Sequence, residues 1–429
     1  MKYEIEVISP VHVGSGGGIS PIEYVLEDKF YRADMDGLFA DERFESDRFI
    51  EDAKVGALYL GRFDSELAKE HVRYALDISH STRTNLQGLI GKRSSEVREF
   101  IKTKDDAYIP GSSVKGAIRT AILWYVLKND RQLLEKAERY LEILLNARDL
   151  SERIENAGNL GDIKREIEIN QNLKQKSDVY MGVLEEIAGG EVRKIKKKVG
   201  NLSKIGREHV DDEIEKLVFG ADPTKDLLKA LQVSDSNAIA VKNLKVEEVW
   251  TLTTTPRGHN WKSFYTYVEA LKRGAKLDLE MKTVEFLLEG DAASELDFES
   301  KKVLVREIPK ICNEFVDDFI ESEIRFFKQC NTQRELDKVI EFYERMKREE
   351  NSFLLHLAWG SGWHGMTVGR LLQEDVGFDF FRLRKKFRLG KRRNQPFFVR
   401  MYPKTRRIVF ENGKPKYPLG WVKLEEKDE

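Results

Sequence analysis

The chain opens on an alternation. Tyr3, Ile5 and Val7 are apolar and the intervening Glu4 and Glu6 are charged, the two-residue period of a half-buried strand that Pro10 then ends. Gly14, Gly16, Gly17 and Gly18 predict a loop, residues 25–33 a further strand, and residues 38–75 a mostly helical, polar-faced stretch. The period lengthens at Val114, Ala117, Ile118, Ala121, Ile122 and Tyr125, whose i, i+3, i+4 spacing predicts a buried helix beginning near Ser113. Residues 131–229, rich in Glu, Lys, Arg and Leu with few aromatics, read as a helical insertion. Strand character returns at 231–233 and 241–255, and helices resume at 263–273 and 303–348. The remaining strand candidates are 276–281, 397–401 and 407–411. This order of strands, helices and strands predicts an α+β protein with two similar lobes, residues 1–255 including the insertion and residues 256–429 including a basic segment at 382–407.

The start of the predicted helix carries the first candidate chemistry. Pro110-Gly111 signals a turn, and Ser113 is a plausible N-cap that would leave backbone N–H groups pointing outward beside Ser112. Lys115 and Arg119 stand one turn apart on the polar side, and Gly116 leaves room for a strand to approach. A helix N-terminus with orphan donors and two cations suits a nucleic-acid backbone or another anion. An ordinary capped helix with two solvated cations explains the same residues about as well. A nucleotide-binding P-loop does not, because that motif places Ser or Thr after Gly-Lys and here Lys115 precedes Gly116.

Composition narrows the class without naming a partner. The 429 residues are 41% hydrophobic and 10% aromatic, enough for real cores in two or three domains. Lys and Arg total 73 against 74 Asp and Glu, so any nucleic-acid surface must come from local segregation of charge. Cys312 and Cys330 cannot build a disulfide framework, and no spacing of Cys or His offers a structural zinc site. No cofactor or metal is expected. The absence of an apolar leader and of any run able to cross a bilayer leads to the expectation of a soluble protein in a reducing, cytoplasmic setting.

Charge segregates in two places. Residues 192–207 hold Arg193, Lys194, Lys196, Lys197, Lys198, Lys204 and Arg207 without an acid, a run that a solvated linker or an RNA contact explains equally. Residues 382–407 hold twelve Lys or Arg, among them Arg392, Arg393, Arg406 and Arg407, again without an acid and with Phe387, Phe397, Phe398 and Tyr402 interleaved. Cations that bind phosphate and aromatics that stack on any base favour nucleic acid as the partner of this second segment. Just before it lies a second glycine turn, Trp359, Gly360, Ser361, Gly362, Trp363, His364 and Gly365, where converging amides could meet an anion and a tryptophan could cover a base or anchor the core. His12, beside Gly14-Ser15-Gly16, is a candidate acid–base group for a metal-independent ribonuclease, although no partner for it is evident and a hydrogen-bonded structural histidine is the safer expectation for both His12 and His259. Asp235 fits a turn or cap residue.

These motifs, taken in order, resemble the RAMP superfamily of CRISPR proteins: residues 8–16, 109–116 and 233–236 carry the likeness. The turn at 359–362 and the endings 404–407 and 418–422 narrow the resemblance to the fifth subunit of the type III-A, or Csm, effector complex. The resemblance implies tandem ferredoxin-like, RRM-like RAMP domains whose glycine-rich loops bind CRISPR RNA. It implies a non-catalytic subunit that caps the backbone filament near the RNA's 3′ end, next to the repeating backbone subunit, and supports RNA maturation and complex assembly in antiviral defence. Target RNA and maturation nucleases are further candidate partners. Residue by residue, the RNA contacts fall on Gly111 to Arg119 and Trp359 to Gly365, and His12 matches the opening motif without inheriting a catalytic role. The rival is a metal-independent endoribonuclease that processes CRISPR RNA through His12.

Overall fold

The computed structural model describes residues 1–56, 58–92, 95–156, 210–220, 222–255, 257–346, 351–390 and 402–427. In chain order the strands are β1 (Lys2–Val7), β2 (Gly14–Ile19), β3 (Tyr24–Leu26), β4 (Phe30–Ala33), β5 (Val72–Ile78), β6 (Val97–Phe100), β7 (Lys102–Thr103), β8 (Asp106–Ala107), β9 (Leu231–Val233), β10 (Leu244–Thr255), β11 (Gly258–Leu271), β12 (Lys276–Thr283), β13 (Ser352–His356), β14 (Thr405–Glu411), β15 (Lys414–Pro418) and β16 (Trp421–Lys427). One sheet has five strands in the order β13-β16-β1-β12-β9. A nine-stranded sheet runs β2-β6-β11-β10-β5-β4-β3, with β14 also pairing with β10 and β15 with β14, and β7 and β8 form a two-stranded ribbon.

The opening alternation forms β1 as expected, with Tyr3, Ile5 and Val7 buried. Its neighbours come from far along the chain: Ile5 lies opposite Leu277 on β12 and Leu424 on β16. The first and last strands thus close one sheet, and the expected lobe division at 255 falls at the turn of the β10–β11 hairpin, where Thr255 pairs with Gly258. The helices Gly111–Asn129 and Ile308–Cys330 supply the apolar cover of the five-stranded sheet. Trp124 meets Phe315 edge-on at 5.5 Å, and Phe319 meets Trp421 at 5.6 Å.

Several sequence expectations change. Gly14 to Gly18 belong to strand β2 rather than to a loop, with Gly16 at φ 91° and an irregular register against β6 that only residues lacking Cβ accommodate easily. Residues 263–273 fall mostly in β11, because Trp261, Phe264, Tyr265, Tyr267 and Val268 fit a pleated surface and the strand finds eleven pairing partners on β10. The stretch 38–75 is a set of short helices that closes its own small core around Phe44, Phe49 and Leu60 before β5 begins. Of the insertion, the helices Arg131–Asn156 and Val210–Phe219 are described, while the basic run 192–207 and the strand candidate 397–401 lie outside the described residues. Cys312 and Cys330 are buried free thiols. Among the described residues no helix is long and apolar enough to cross a membrane.

Candidate nucleic-acid interface

The first glycine turn is a joint inside the protein. The helix starts at Gly111 with Pro110 as its cap residue, two positions before Ser113. Gly111 N–H donates to Asp235 Oδ1 at 2.8 Å, Ile109 N–H to Ser236 Oγ at 2.9 Å, and Ser236 N–H returns a bond to the Ile109 carbonyl at 3.0 Å. Two motifs 124 residues apart in the sequence therefore meet, and the anion at this helix N-terminus is the protein's own carboxylate. A Cβ on Gly111 would stand 2.4 Å from the Ser234 carbonyl oxygen, so Gly111→Ala should lower stability by roughly 1–3 kcal/mol through overpacking, read as a shift of the urea midpoint. By contrast, Gly116 faces open space.

The two cations of that helix are committed to protein groups. Lys115 Nζ donates to the Leu231 carbonyl at 2.8 Å, and burial draws its pKa below the usual lysine value. Arg119 donates to Glu215 Oε2 at 2.6 Å and Asp226 Oδ2 at 2.8 Å while its guanidinium lies 4.0 Å over Phe219. Ser112 and Gly116 are exposed and Ser113 is half-buried.

The second turn is built differently. After β13 the chain passes through Ala358 at φ 57° and Gly362 at φ 64° into the short helix Gly362–Met366. Gly360 lies so close to the β15–β16 connection that an added Cβ would come within 2.0 Å of the Leu419 carbonyl oxygen. Trp363 anchors the turn, packing 4.8 Å from Tyr402 and against Gly369, which leaves no space there for a side chain. The Ser361 hydroxyl closes the turn onto the Ala358 carbonyl at 2.6 Å. Trp359 is the tryptophan the turn presents.

Two guanidinium groups lie over that ring, Arg98 at 4.7 Å and Arg407 at 3.9 Å from its centroid. Arg407 also donates to the Trp359 carbonyl at 2.5 Å. Neither arginine has a carboxylate partner among the described residues. Burial, together with the charge of Arg98, pushes the Arg407 guanidinium down to about 10. Two like charges held on one aromatic ring without a counter-ion among the described residues make a place where an anion is stabilised on arrival.

His12 sits beneath this group. It is 2% exposed, its ring meets Trp359 edge-on at 5.9 Å, and its carbonyl accepts from Trp359 N–H at 3.4 Å. Its Nδ1 is 2.7 Å from the Glu269 carbonyl, an acceptor, so Nδ1 carries the proton. Burial, reinforced by Arg98, Lys102 and Arg407, pushes its pKa down to about 4 against that backbone bond. A neutral, enclosed imidazole here supports Trp359. His259 is similarly engaged, by the Cys330 carbonyl at 2.9 Å and Glu335 at 3.0 Å.

Trp359, Arg98 and Arg407 open onto a cavity of about 540 Å³ that Thr251, Lys262 and Phe264 also line. Arg406 borders it but is held by Glu323, with Nε and Nη2 each 2.6 Å from one carboxylate oxygen. Arg392 and Arg393 lie outside the described residues, between Gly390 and Tyr402, which both border the cavity. Sequence reasoning missed Arg98, Lys262 and Phe264. The signal for Arg98 was available, since Val97 and Phe100 flank it as the buried residues of a strand. Phe264 was hidden by the helical expectation for 263–273, which begins just after Lys262.

A family model described as the RAMP superfamily matches residues 4–369. The chain is similar to a chain of the cryo-EM structure of a Csm-crRNA-target RNA ternary complex in a type III-A CRISPR-Cas system, with TM-score 0.65 and 26% identity over 99% of this chain and 100% of that one. It is also similar in fold to the crystal structure of T. onnurineus Csm5, with TM-score 0.57 and 24% identity over 98% and 99% of the two chains. A curated relative, the CRISPR system protein Csm5 of Methanocaldococcus jannaschii, is 21% identical over 449 residues, 99% of this chain and 88% of the relative.

Proposed function

Because this chain belongs to the RAMP superfamily, we propose that it is a CRISPR RNA-binding backbone subunit of a type III-A interference complex, non-catalytic, capping the filament near the 3′ end of the CRISPR RNA. Its partners are that RNA, the repeating backbone subunit and target RNA, and its role is to support RNA maturation and assembly of the complex. The end-to-end likeness to a chain of a Csm-crRNA-target RNA complex supports the assembly. The observation that carries the RNA contact is the Trp359 ring under Arg98 and Arg407, two guanidinium groups with no carboxylate partner among the described residues. The grip is thus the second turn with β6 and β14, and the first turn serves as the joint that fixes its helix. The enclosed, neutral His12 supports the non-catalytic role.

Phosphate-dominated binding has a measurable signature. Binding of single-stranded RNA to the purified chain should weaken as salt rises, log K falling linearly with log salt by about 0.7 for each phosphate contacted. Tight binding that ignores salt would overturn the phosphate grip. Specific cleavage of repeat RNA in EDTA, lost in His12→Ala, would overturn the non-catalytic assignment.

A further inference from the structure

We propose that the cavity beside Trp359 takes one unstacked ribonucleotide, its base held by the Phe264 ring and its phosphate by Arg98 and Arg407. The proposal rests on the RNA-binding function above and adds that the protein contacts a base as well as the backbone. It starts from an irregularity in the longest hairpin. Trp250 lies opposite Tyr265 and Leu252 opposite Trp261, so Lys262, Ser263 and Phe264 together face Thr251 alone. A bulge of this kind re-aims side chains, and here it turns Lys262 and Phe264 to the cavity wall.

Phe264 stands apart from the other aromatics of its sheet. Trp250 stacks on Tyr265 at 4.6 Å and on Phe410 at 4.8 Å, and Trp261 meets Phe410 at 4.8 Å. Phe264 has no ring partner among the described residues and is 53% exposed, with Lys262 Nζ 5.5 Å from its centroid. A large apolar side chain pushed toward solvent at the rim of a cationic cavity is explained by a ligand with a π-face.

Charge and size agree. Among the described residues Arg98, Arg406 and Arg407 border the cavity with one carboxylate, Glu323, both of whose oxygens accept from Arg406. About 540 Å³ falls within the range of small-ligand sites, sufficient for one nucleotide and too small for a stacked helical stretch. Stacking on the Phe264 ring tolerates any base, because every base has a π-face.

The test uses the full chain and short RNA oligomers in which every base is removed, leaving ribose and phosphate, compared with oligomers in which one base is restored. Restoring one base should raise affinity by roughly tenfold, and restoring the others should add little. In Phe264→Ala the first base should bring no gain, while Phe264→Tyr should keep it. Equal gains from every base, or no gain from any, overturn the single-nucleotide cavity and leave the phosphate grip standing when salt-dependent binding persists. Failure of the all-base oligomer to bind even at low salt overturns both. Thermal unfolding of Phe264→Ala at the parent temperature confirms that its half-exposed ring was not holding the fold.

Discussion

A chain carrying Arg98→Ala with Arg407→Ala should bind single-stranded RNA roughly a hundredfold more weakly, with the salt slope reduced by about 1.4 for two phosphates released. The magnitude follows from the environment. Each guanidinium lies over the Trp359 ring, and among the described residues no carboxylate pairs with either of them to compete with an incoming phosphate. Burial and mutual repulsion already hold Arg407 at about 10, and a bound anion relieves that stress. Lys115→Ala with Arg119→Ala gives the contrasting result. Those cations hold the Leu231 carbonyl and the Glu215 and Asp226 carboxylates, so their removal should lower the unfolding midpoint and change RNA affinity little. Nitrocellulose filter binding at several salt concentrations, with a thermal melt of each variant, separates the two. The reverse pattern would return the phosphate grip to the first turn.

How much of this was legible in the sequence depends on how local each feature is. The β1 alternation and the helix after Pro110 were readable because their periods are set by residues within a few positions. The second turn was readable because glycines and tryptophans at close spacing have few other uses. What the sequence hid is which partner each polar group finds. Asp235 looked like a turn residue and Gly111 like the edge of an open cradle, and only their meeting shows that one satisfies the other. Arg406 and Arg407 are adjacent and chemically identical, yet successive strand residues project to different sides, so one reaches Glu323 and the other Trp359. Arg98 joins the site through β6 pairing with β11, a contact between residues 170 positions apart that no local period encodes. Phe264 was lost for a different reason: apolar residues at 264, 265, 267 and 268 mimic a helical face when a bulge interrupts the two-residue period of a strand.

The adjacent arginine yields the second large effect, on stability. Glu323, on the helix Ile308–Cys330, is 1% exposed and accepts two 2.6 Å bonds from Arg406, with His364 Nδ1 3.8 Å away. Burial raises the carboxyl's pKa, but the Arg406 charge and the hydrogen bonds outweigh it and hold the group at about 2, against an ordinary value of 4.5. A depressed folded-state pKa means that this pairing stabilises fully above the unfolded value and is lost as pH falls from 4.5 toward 2. At neutral pH the shift corresponds to roughly 3 kcal/mol. Glu323→Ala should therefore cost about 3–5 kcal/mol in urea unfolding at pH 7, because it strands the half-buried Arg406 against Phe326, and the deficit should shrink below pH 4. Glu323→Leu with Arg406→Met should recover much of the loss, since two apolar groups leave no charge unpaired. A Glu323→Ala chain as stable as the parent at pH 7 would mean that the ion pair contributes nothing. Because Arg406 precedes Arg407 on β14, breaking the pair also frees the strand segment that holds Arg407 over Trp359, and the double variant should restore RNA binding together with stability.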